Sequence, residues 1–115
     1  MDDATQARLL RLLGLGVRGR GAVVGVERVR EAAGKGTLML AVVAPDASRN
    51  SLDKVQPLLR ARRIPMVEGP GAVALGHAVG REQTAAVGVT DPNLARGIQQ
   101  MLGPSPSGGG ADGAP

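Results

Sequence analysis

The stretch that decides the fold is Gly71–Asp91, with the sequence GAVALGHAVGREQTAAVGVTD. Its apolar spacing predicts a short helix over Gly71–Val79, a polar turn at Gly80–Thr84 and a buried strand over Ala85–Val89. Asp91 followed by proline then predicts the start of a further helix, because aspartate is a favoured N-cap and proline suits the first helical position. A polar turn held between a helix and a buried strand is rigidly supported and open to solvent, which favours a binding loop.

Helices and strands alternate along the rest of the chain. Leucines at helical spacing predict a first amphipathic helix over Ala4–Val17. Pro57 should kink the helix in which it lies. The other predicted elements are, in chain order, a very short strand at Ala22–Val24, a helix over Val26–Ala33 closed by Gly34 and Gly36, a buried strand over Thr37–Ala44, a helix from an N-cap at Ser51 to about Ala61, a short strand at Ile64–Val67 and the last helix, in which Leu94, Ile98 and Leu102 pack inward.

This alternation predicts an α/β fold, a three-layer α/β/α sandwich with a mixed central sheet of about four strands. One domain is expected over residues 1–102, followed by a disordered tail at Gly103–Pro115, which is glycine, proline, serine and alanine with one aspartate.

The apolar run Leu38–Ala44 is too short to cross a membrane, and the first residues lack the pattern of a secretion signal. A cytoplasmic location is therefore expected.

The composition excludes several classes of function. The chain has no cysteine, which removes disulfides, thiolate zinc sites and cysteine nucleophiles, and it has no phenylalanine, tyrosine or tryptophan. RNA-recognition motifs, cold-shock domains and OB folds stack bases on aromatic rings, so RNA binding here would have to use the backbone, phosphate contacts and polar groups. The formal net charge of +4 comes mainly from arginine and has two interpretations: a polyanion partner, or the codon usage of a GC-rich genome. No metal ion or cofactor is expected.

A basic, glycine-rich segment follows the first predicted helix. In Arg18-Gly-Arg-Gly the glycines would let the backbone approach a phosphate that the arginines hold, although a flexible charged loop is the alternative. Arg28 begins the next helix nearby, and the N-terminus of that helix offers free N–H groups to an anion. The segment therefore favours contact with a polyanion.

Four segments, in this order and spacing, carry a resemblance to a known family. They are Leu12–Gly21 with Val24–Gly25, Leu40–Ser48, Arg63–Val67 and Ala74–Asp91. The chain resembles the ribosomal L-seven-Ae / L-thirty-e family, particularly its small bacterial YlxQ-like members, over essentially the whole domain. The resemblance implies an α/β/α sandwich that binds kink-turn or related internal-loop RNA. It includes no catalytic signature, so we expect a non-enzymatic RNA-binding protein associated with ribosomal or other structured RNA.

The resemblance also implies where RNA would bind. Family members that bind kink-turns read sheared G·A pairs with a Gly-x-Asn-Glu turn at the start of the second helix, and the matching turn here is Gly25-Val-Glu-Arg28. Glu27 therefore replaces asparagine and cannot donate a hydrogen bond, while Glu31 stands where many members have lysine. The family's acidic residue after the buried strand matches Asp46. The predicted RNA-binding residues are Arg18, Arg20, Gly25, Glu27 and Arg28 on one side of the surface, and Arg81, Glu82, Gln83 and Thr84, in the loop that would contact a flipped-out nucleotide, on the other.

Other charged residues have both structural and functional interpretations. His77 is the only histidine, and a lone histidine is more often a surface or packed residue than a catalyst. Asp46 and Glu82 could form an acid–base pair, but capping and turn formation are the stronger interpretation for Asp46. A cluster at the end of the third predicted helix, Arg60, Arg62 and Arg63, could touch phosphate. Cations at a helix C-terminus also stabilise the helix dipole, and we favour this structural interpretation.

Two alternatives to RNA binding stay open at this point. The first is a protein-interaction module on the same fold, for which Glu27 and Glu31 are the support. The second is a small enzyme acting on a phosphate-bearing ligand, which needs Asp46, His77 or Glu82 joined in one pocket. The expected state is a monomer with a structured RNA partner and no membrane attachment.

Overall fold

Helices and strands alternate throughout residues 1–103, the part of the chain that the structure, a computed structural model, describes. The elements are α1 (Asp3–Arg18), β1 (Ala22–Val24), α2 (Val26–Lys35), β2 (Leu40–Val43), α3 (Arg49–Ala61), β3 (Met66–Glu68), α4 (Ala72–Ala78), β4 (Ala86–Val89) and α5 (Pro92–Leu102). The predicted order of elements is confirmed. The predicted tail lies outside the described residues apart from Gly103, which ends α5.

The strands form one mixed sheet in the order β1-β4-β2-β3. Strands β1 and β2 each pair antiparallel with β4, and β3 pairs parallel with β2. The loops lie at the two ends of the strands, and each end is given a name; "edge" here means an end of the strands and not an outer strand. One of them, which we call the Gly25 edge, carries the loop segments 25–26, 44–48, 69–71 and 83–85. The opposite end, the Arg20 edge, carries the segments 19–21, 36–39, 62–65 and 90–91. The loops therefore lie at two separate ends, apart from residues 79–82, which begin the loop between α4 and β4.

Side chains alternate across the sheet and build an apolar core on each face. Helices α1, α4 and α5 cover the face to which β2 and β4 contribute Leu40, Val42, Val87 and Val89. Helices α2 and α3 cover the other face, to which the same strands contribute Ala41, Val43 and Ala86. Full burial of a leucine or valine side chain contributes about 1.5–3 kcal/mol, so both faces are needed for stability. The predicted three-layer α/β/α sandwich with a four-stranded mixed sheet is confirmed.

Aspartates fix the starts of the first and last helices. The side chain of Asp2 accepts a hydrogen bond from the N–H of Thr5 at 2.8 Å. Hydrogen bonding by the side chain and backbone of Thr5 holds the pKa of Asp2 below its usual value, because a carboxylate that accepts hydrogen bonds is stabilised in its charged form. Asp91 accepts from the N–H of Asn93 at 2.9 Å and Pro92 opens α5, as predicted.

The predicted N-cap of α3 is wrong by one turn. Ser48 is the N-cap, and the N–H of Ser51 donates to its Oγ at 3.1 Å. Both serines can cap a helix, and here Ser51 lies in the first turn of α3, where its Oγ also accepts a hydrogen bond from Oγ of Ser48 at 3.1 Å. Pro57 lies inside α3, where its kink stays a prediction.

Other boundaries differ from the predictions because helix ends extend further than the pattern suggested; β2, for example, begins at Leu40 and not at Thr37, whose N–H donates to the carbonyl of Ala32 in α2. Gly34 lies inside α2, and Gly36 alone ends this helix with a left-handed φ of 77°. Strand β3 begins at Met66, because the N–H of Ile64 donates to the carbonyl of Leu59 at 2.9 Å and so belongs to the end of α3. Within residues 1–103, none of the helices has the length and apolar character that a membrane span requires.

Candidate nucleic-acid interface

One carbonyl oxygen joins the two halves of the predicted RNA-binding surface. The oxygen of Ala86, the first residue of β4, accepts the N–H of Gly25 at 2.9 Å and the hydroxyl of Thr84 at 3.2 Å. Gly25 immediately precedes α2, and Thr84 lies near the end of the loop between α4 and β4. The pairing of β1 with β4 therefore holds these two segments side by side at the Gly25 edge.

Gly25 gives α2 an N-terminus with free amide groups. Its φ of 100° and ψ of 157° lie in a region that is open essentially to glycine alone. No side chain caps α2, and the first backbone hydrogen bond of the helix runs from Val29 to Gly25 at 3.0 Å. The N–H groups of Val26, Glu27 and Arg28 precede that bond and have no partner within the helix. They lie at the positive end of the helix dipole, which suits an anionic oxygen.

Lys54 of α3 contacts two residues of α2. Its Nζ lies 3.9 Å from Oε2 of Glu27, and its backbone oxygen accepts a 2.8 Å hydrogen bond from Nη1 of Arg30. The side chain of Glu27 is 79% exposed, so this ion pair is weak and leaves the carboxylate open to a ligand. Arg28 is exposed and forms neither an ion pair nor a side-chain hydrogen bond within residues 1–103. Its guanidinium is therefore free to bind phosphate.

Two basic residues at this surface were not indicated by the sequence. Arg49 and Lys54 are exposed on α3, which begins at the Gly25 edge and packs beside α2. Only the sheet order brings these two helices together, so no local pattern could have pointed to them. Glu31, by contrast, is paired with Lys35 one turn further along α2 at 3.3 Å. This exposed pair offsets the acidic charge that weighed against RNA binding.

The loop between α4 and β4 folds back along α4. The N–H of Arg81 donates to the carbonyl of Gly76 at 2.8 Å. Gly76 also lies directly against the backbone of Gln83, and a Cβ there would overlap it. The backbone of the loop is thus fixed, while the side chains of Arg81, Glu82 and Gln83 are exposed.

Thr84 is placed differently from the rest of the loop. Only 9% of the residue is exposed, and its hydroxyl donates to Ala86 inside the domain. Its N–H donates to the carbonyl of Ala72 at 3.0 Å. Thr84 therefore positions the loop, and its side chain does not extend toward a ligand.

Asp46 acts as a cap for α4. Its Oδ1 accepts the N–H of Ala72 at 2.8 Å, and Gly71, the N-cap of this helix, has no side chain of its own to do so. His77 and Glu82 are both exposed, and no hydrogen bond or ion pair within residues 1–103 joins either of them to Asp46. The acid–base pair considered from the sequence is not assembled.

Arg20 does not lie beside Gly25, which corrects the surface expected from the sequence. The two residues lie at opposite ends of β1. The carbonyl of Gly21 accepts the N–H groups of Thr90 and Asp91 at 2.9 and 3.1 Å, which ties this segment to the far end of β4. The strand predicted at Ala22–Val24 lies between the two residues, so their separation could have been inferred from the sequence.

Arg18, the last residue of α1, is two residues from Arg20, and its side chain lies near Gly14 and the end of α4. Its Nη1 is 3.8 Å from the position that a Cβ on Gly14 would occupy, and the carbonyl oxygen of Ala78 is 2.6 Å from the same position. The guanidinium group therefore lies close to the last turn of α4, where the loop with Arg81 begins. This places Arg18 with the loop side of the surface instead of the Gly25 side.

Comparison with known proteins gives this arrangement a family. The model of the Ribosomal protein L7Ae/L30e/S12e/Gadd45 family matches residues 7–98, from within α1 to within α5. The chain belongs to this family. It is 30% identical over 91 residues to "RNA-binding protein YlxQ" of Bacillus subtilis (strain 168). The aligned region covers 79% of this chain and 91% of that protein. The chain is thus a YlxQ-like member of the L7Ae/L30e/S12e/Gadd45 family.

Two solved structures share the L7Ae-type fold. A protein of unknown function from Bacillus halodurans C has a TM-score of 0.76 and 28% identity, covering 84% of this chain and 97% of that one. The Giardia lamblia 15.5kD RNA binding protein has a TM-score of 0.72 and 19% identity, covering 85% and 87% of the two chains. The second likeness, at that identity, concerns the fold alone.

Proposed function

We propose that this chain is a non-enzymatic protein that binds structured RNA at the Gly25 edge, with kink-turn-like RNA as the first class to test. The observation that carries the proposal is the shared carbonyl of Ala86, which holds the uncapped start of α2 against the loop that ends in Thr84. Membership of the L7Ae/L30e/S12e/Gadd45 family and the name of the relative, RNA-binding protein YlxQ, support it.

Phosphate contacts supply most of the expected affinity. The free amides at the start of α2 donate hydrogen bonds to a phosphate oxygen, and the exposed guanidinium of Arg28 lies on the same turn. Arg81 and Arg18 hold the backbone further along the loop. Such contacts set the orientation of the RNA without reading its sequence.

We assign the base contacts to two exposed residues, Glu27 and Gln83, which belong to the two segments joined by the carbonyl of Ala86. Glu27 can only accept hydrogen bonds, so it selects bases that present amino or imino hydrogens. Gln83 can both donate and accept. This combination differs from the asparagine-based recognition of kink-turns, and we expect the sequence preference at the G·A pairs to differ accordingly.

The test measures binding of the full chain to a kink-turn RNA and to a straight duplex of matched length. Fluorescence anisotropy across a salt series gives the affinity for each RNA. Tighter binding to the kink-turn RNA is the expected result. Equal and salt-sensitive binding to both would indicate a general phosphate binder. Absence of binding to either, and of co-sedimentation with ribosomes, would overturn the proposal in favour of a protein partner.

Variants then locate the interface. Arg28→Ala and Arg81→Ala should each weaken binding and lower the slope of log K against log salt by about one unit per lost phosphate contact. The control is Arg96→Ala, which removes an equal charge from an exposed position on α5. Unchanged slopes in both test variants, or an equal loss in the control, would remove the Gly25 edge from the proposal.

A further inference from the structure

Three helices end at the Arg20 edge with the same pair of backbone hydrogen bonds. In each, two N–H groups just beyond the helix bond back to carbonyls of its last turn, the pattern of a Schellman motif. The pairs are Gly21 to Gly16 at 2.7 Å and Arg20 to Val17 at 3.2 Å after α1, Thr37 to Ala32 at 3.0 Å and Gly36 to Ala33 at 3.2 Å after α2, and Ile64 to Leu59 at 2.9 Å and Arg63 to Arg60 at 3.1 Å after α3.

The residue in the left-handed position differs among the three ends. After α2 it is Gly36, with φ of 77°, as this motif favours. After α1 and α3 it is Arg20, with φ of 64°, and Arg63, with φ of 57°. No other non-glycine residue in the described part of the chain has a positive φ. A side chain makes this conformation less favourable, so the turns themselves do not explain why arginine stands at two of them.

The helix dipole does not explain these arginines either. Arg18 and Arg60 already place a cation in the last turn of α1 and α3. Arg20 and Arg63 come after the helices, are exposed, and form no ion pair within residues 1–103. Asp91 is the acidic residue adjoining Gly21, and its side chain caps α5.

The two arginines flank the whole sheet. Arg20 precedes β1 and Arg63 precedes β3, the outer strands of the order β1-β4-β2-β3. The two outer strands themselves lie three strand spacings apart, about 14 Å. Arg62, also exposed, lies beside Arg63. The Arg20 edge thus presents exposed cations beside both outer strands of the sheet, and A-form duplexes are recognised mainly through shape and phosphate contacts.

We propose that the Arg20 edge is a second phosphate-binding surface, which holds the backbone of a separate RNA duplex while the Gly25 edge is occupied. This rests on the proposed RNA-binding function of the Gly25 edge. Because the two edges lie at opposite ends of the strands, one protein molecule then bridges two RNA helices.

The test uses the full chain saturated with an unlabelled kink-turn RNA, to which a labelled straight RNA duplex is added. The duplex should bind, and the double variant Arg20→Gly/Arg63→Gly should lower its affinity by about tenfold or more, since two phosphate contacts are lost. Glycine suits both left-handed positions, so the variant should melt at or above the wild-type temperature. Loss of binding then cannot be attributed to unfolding.

The matched control is Arg8→Ala/Arg11→Ala, which removes the same charge from exposed positions on α1, about 13 Å or more along the helix from Arg20. This control variant should bind the labelled duplex as tightly as the wild type does. Failure of the saturated wild type to bind the duplex, or equal weakening in both double variants, overturns the second surface. Failure of the kink-turn RNA to bind at all would instead overturn the function proposed for the Gly25 edge, so the two failures are distinguishable.

Discussion

Gly25 is the residue on which the geometry of the proposed interface depends most directly. Its φ of 100° is strained for any side chain even though nothing within 4 Å would touch a Cβ. Gly25→Ala should therefore lower the free energy of unfolding by about 1 kcal/mol or more, and it should also weaken RNA binding, because relief of the strain moves the free amides of α2. Urea denaturation and RNA titration measure the two effects.

The matched control is Gly34→Ala. Gly34 also has open space around it but lies inside α2 with ordinary helical φ, so alanine there should raise the free energy of unfolding by about 0.5–1 kcal/mol. Equal effects of the two substitutions would show that backbone conformation at Gly25 is not the cause.

Thr84 tests whether the link through Ala86 matters. Thr84→Val keeps the shape of the side chain but removes the hydroxyl that donates to Ala86 at 3.2 Å, which should cost about 1 kcal/mol of stability. RNA affinity should fall as well, although the side chain does not reach the surface, because the loop loses its attachment to the start of α2. Thr84→Ser keeps the hydroxyl and should retain RNA affinity. If the serine variant loses as much affinity as the valine variant, the hydrogen bond to Ala86 is not the cause of the loss.

At the scale of elements, the start of α3 is the clearest case in which two serines compete for one role. Ser48 is the N-cap, with Ser51 donating its N–H to it at 3.1 Å. Ser48→Ala should therefore lower the free energy of unfolding by about 1 kcal/mol, whereas Ser51→Ala should change it by only a few tenths. Thermal or urea denaturation of both variants decides between the two positions, and the reverse order would restore the cap predicted from sequence.

Local chemistry made the elements predictable. Apolar spacing and caps such as Asp91 with Pro92 act within a few residues, so they indicated each helix and strand; of the two glycines predicted to close α2, Gly36 does so and Gly34 lies inside the helix. The errors arose where two neighbouring residues could serve equally well, as at the start of α3, or where a helix end extended into an expected strand, as at Ile64.

The site was predictable only in part, because its assembly depends on which strands pair. The loop from Arg81 to Thr84 could be located by its position between a helix and a strand. Its attachment to Gly25 follows from the pairing of β1 with β4, which no local pattern encodes. Strand β1 itself separates Arg20 from Gly25, and the packing of α2 beside α3 brings Lys54 to Glu27.

At the scale of the whole molecule, the two proposed binding surfaces lie at opposite ends of one sheet. The sheet is buried on both faces by separate apolar cores, so its amides are protected before any ligand binds. The two edges are made of the loops that join strands to helices, where amides are less protected. Binding at one edge can therefore be followed separately from binding at the other.

Hydrogen exchange measures this division directly. With kink-turn RNA alone, amides in segments 25–29 and 80–85 should exchange more slowly, because the free N–H groups of Val26 to Arg28 acquire partners, while segments 19–21 and 62–65 stay unchanged. Addition of a straight duplex should then slow exchange in segments 19–21 and 62–65. Slowing at the Arg20 edge by the kink-turn RNA, with none at the Gly25 edge, would exchange the roles of the two surfaces. Uniform slowing across the chain would show that RNA stabilises the domain as a whole, and it would argue against two separate contact surfaces.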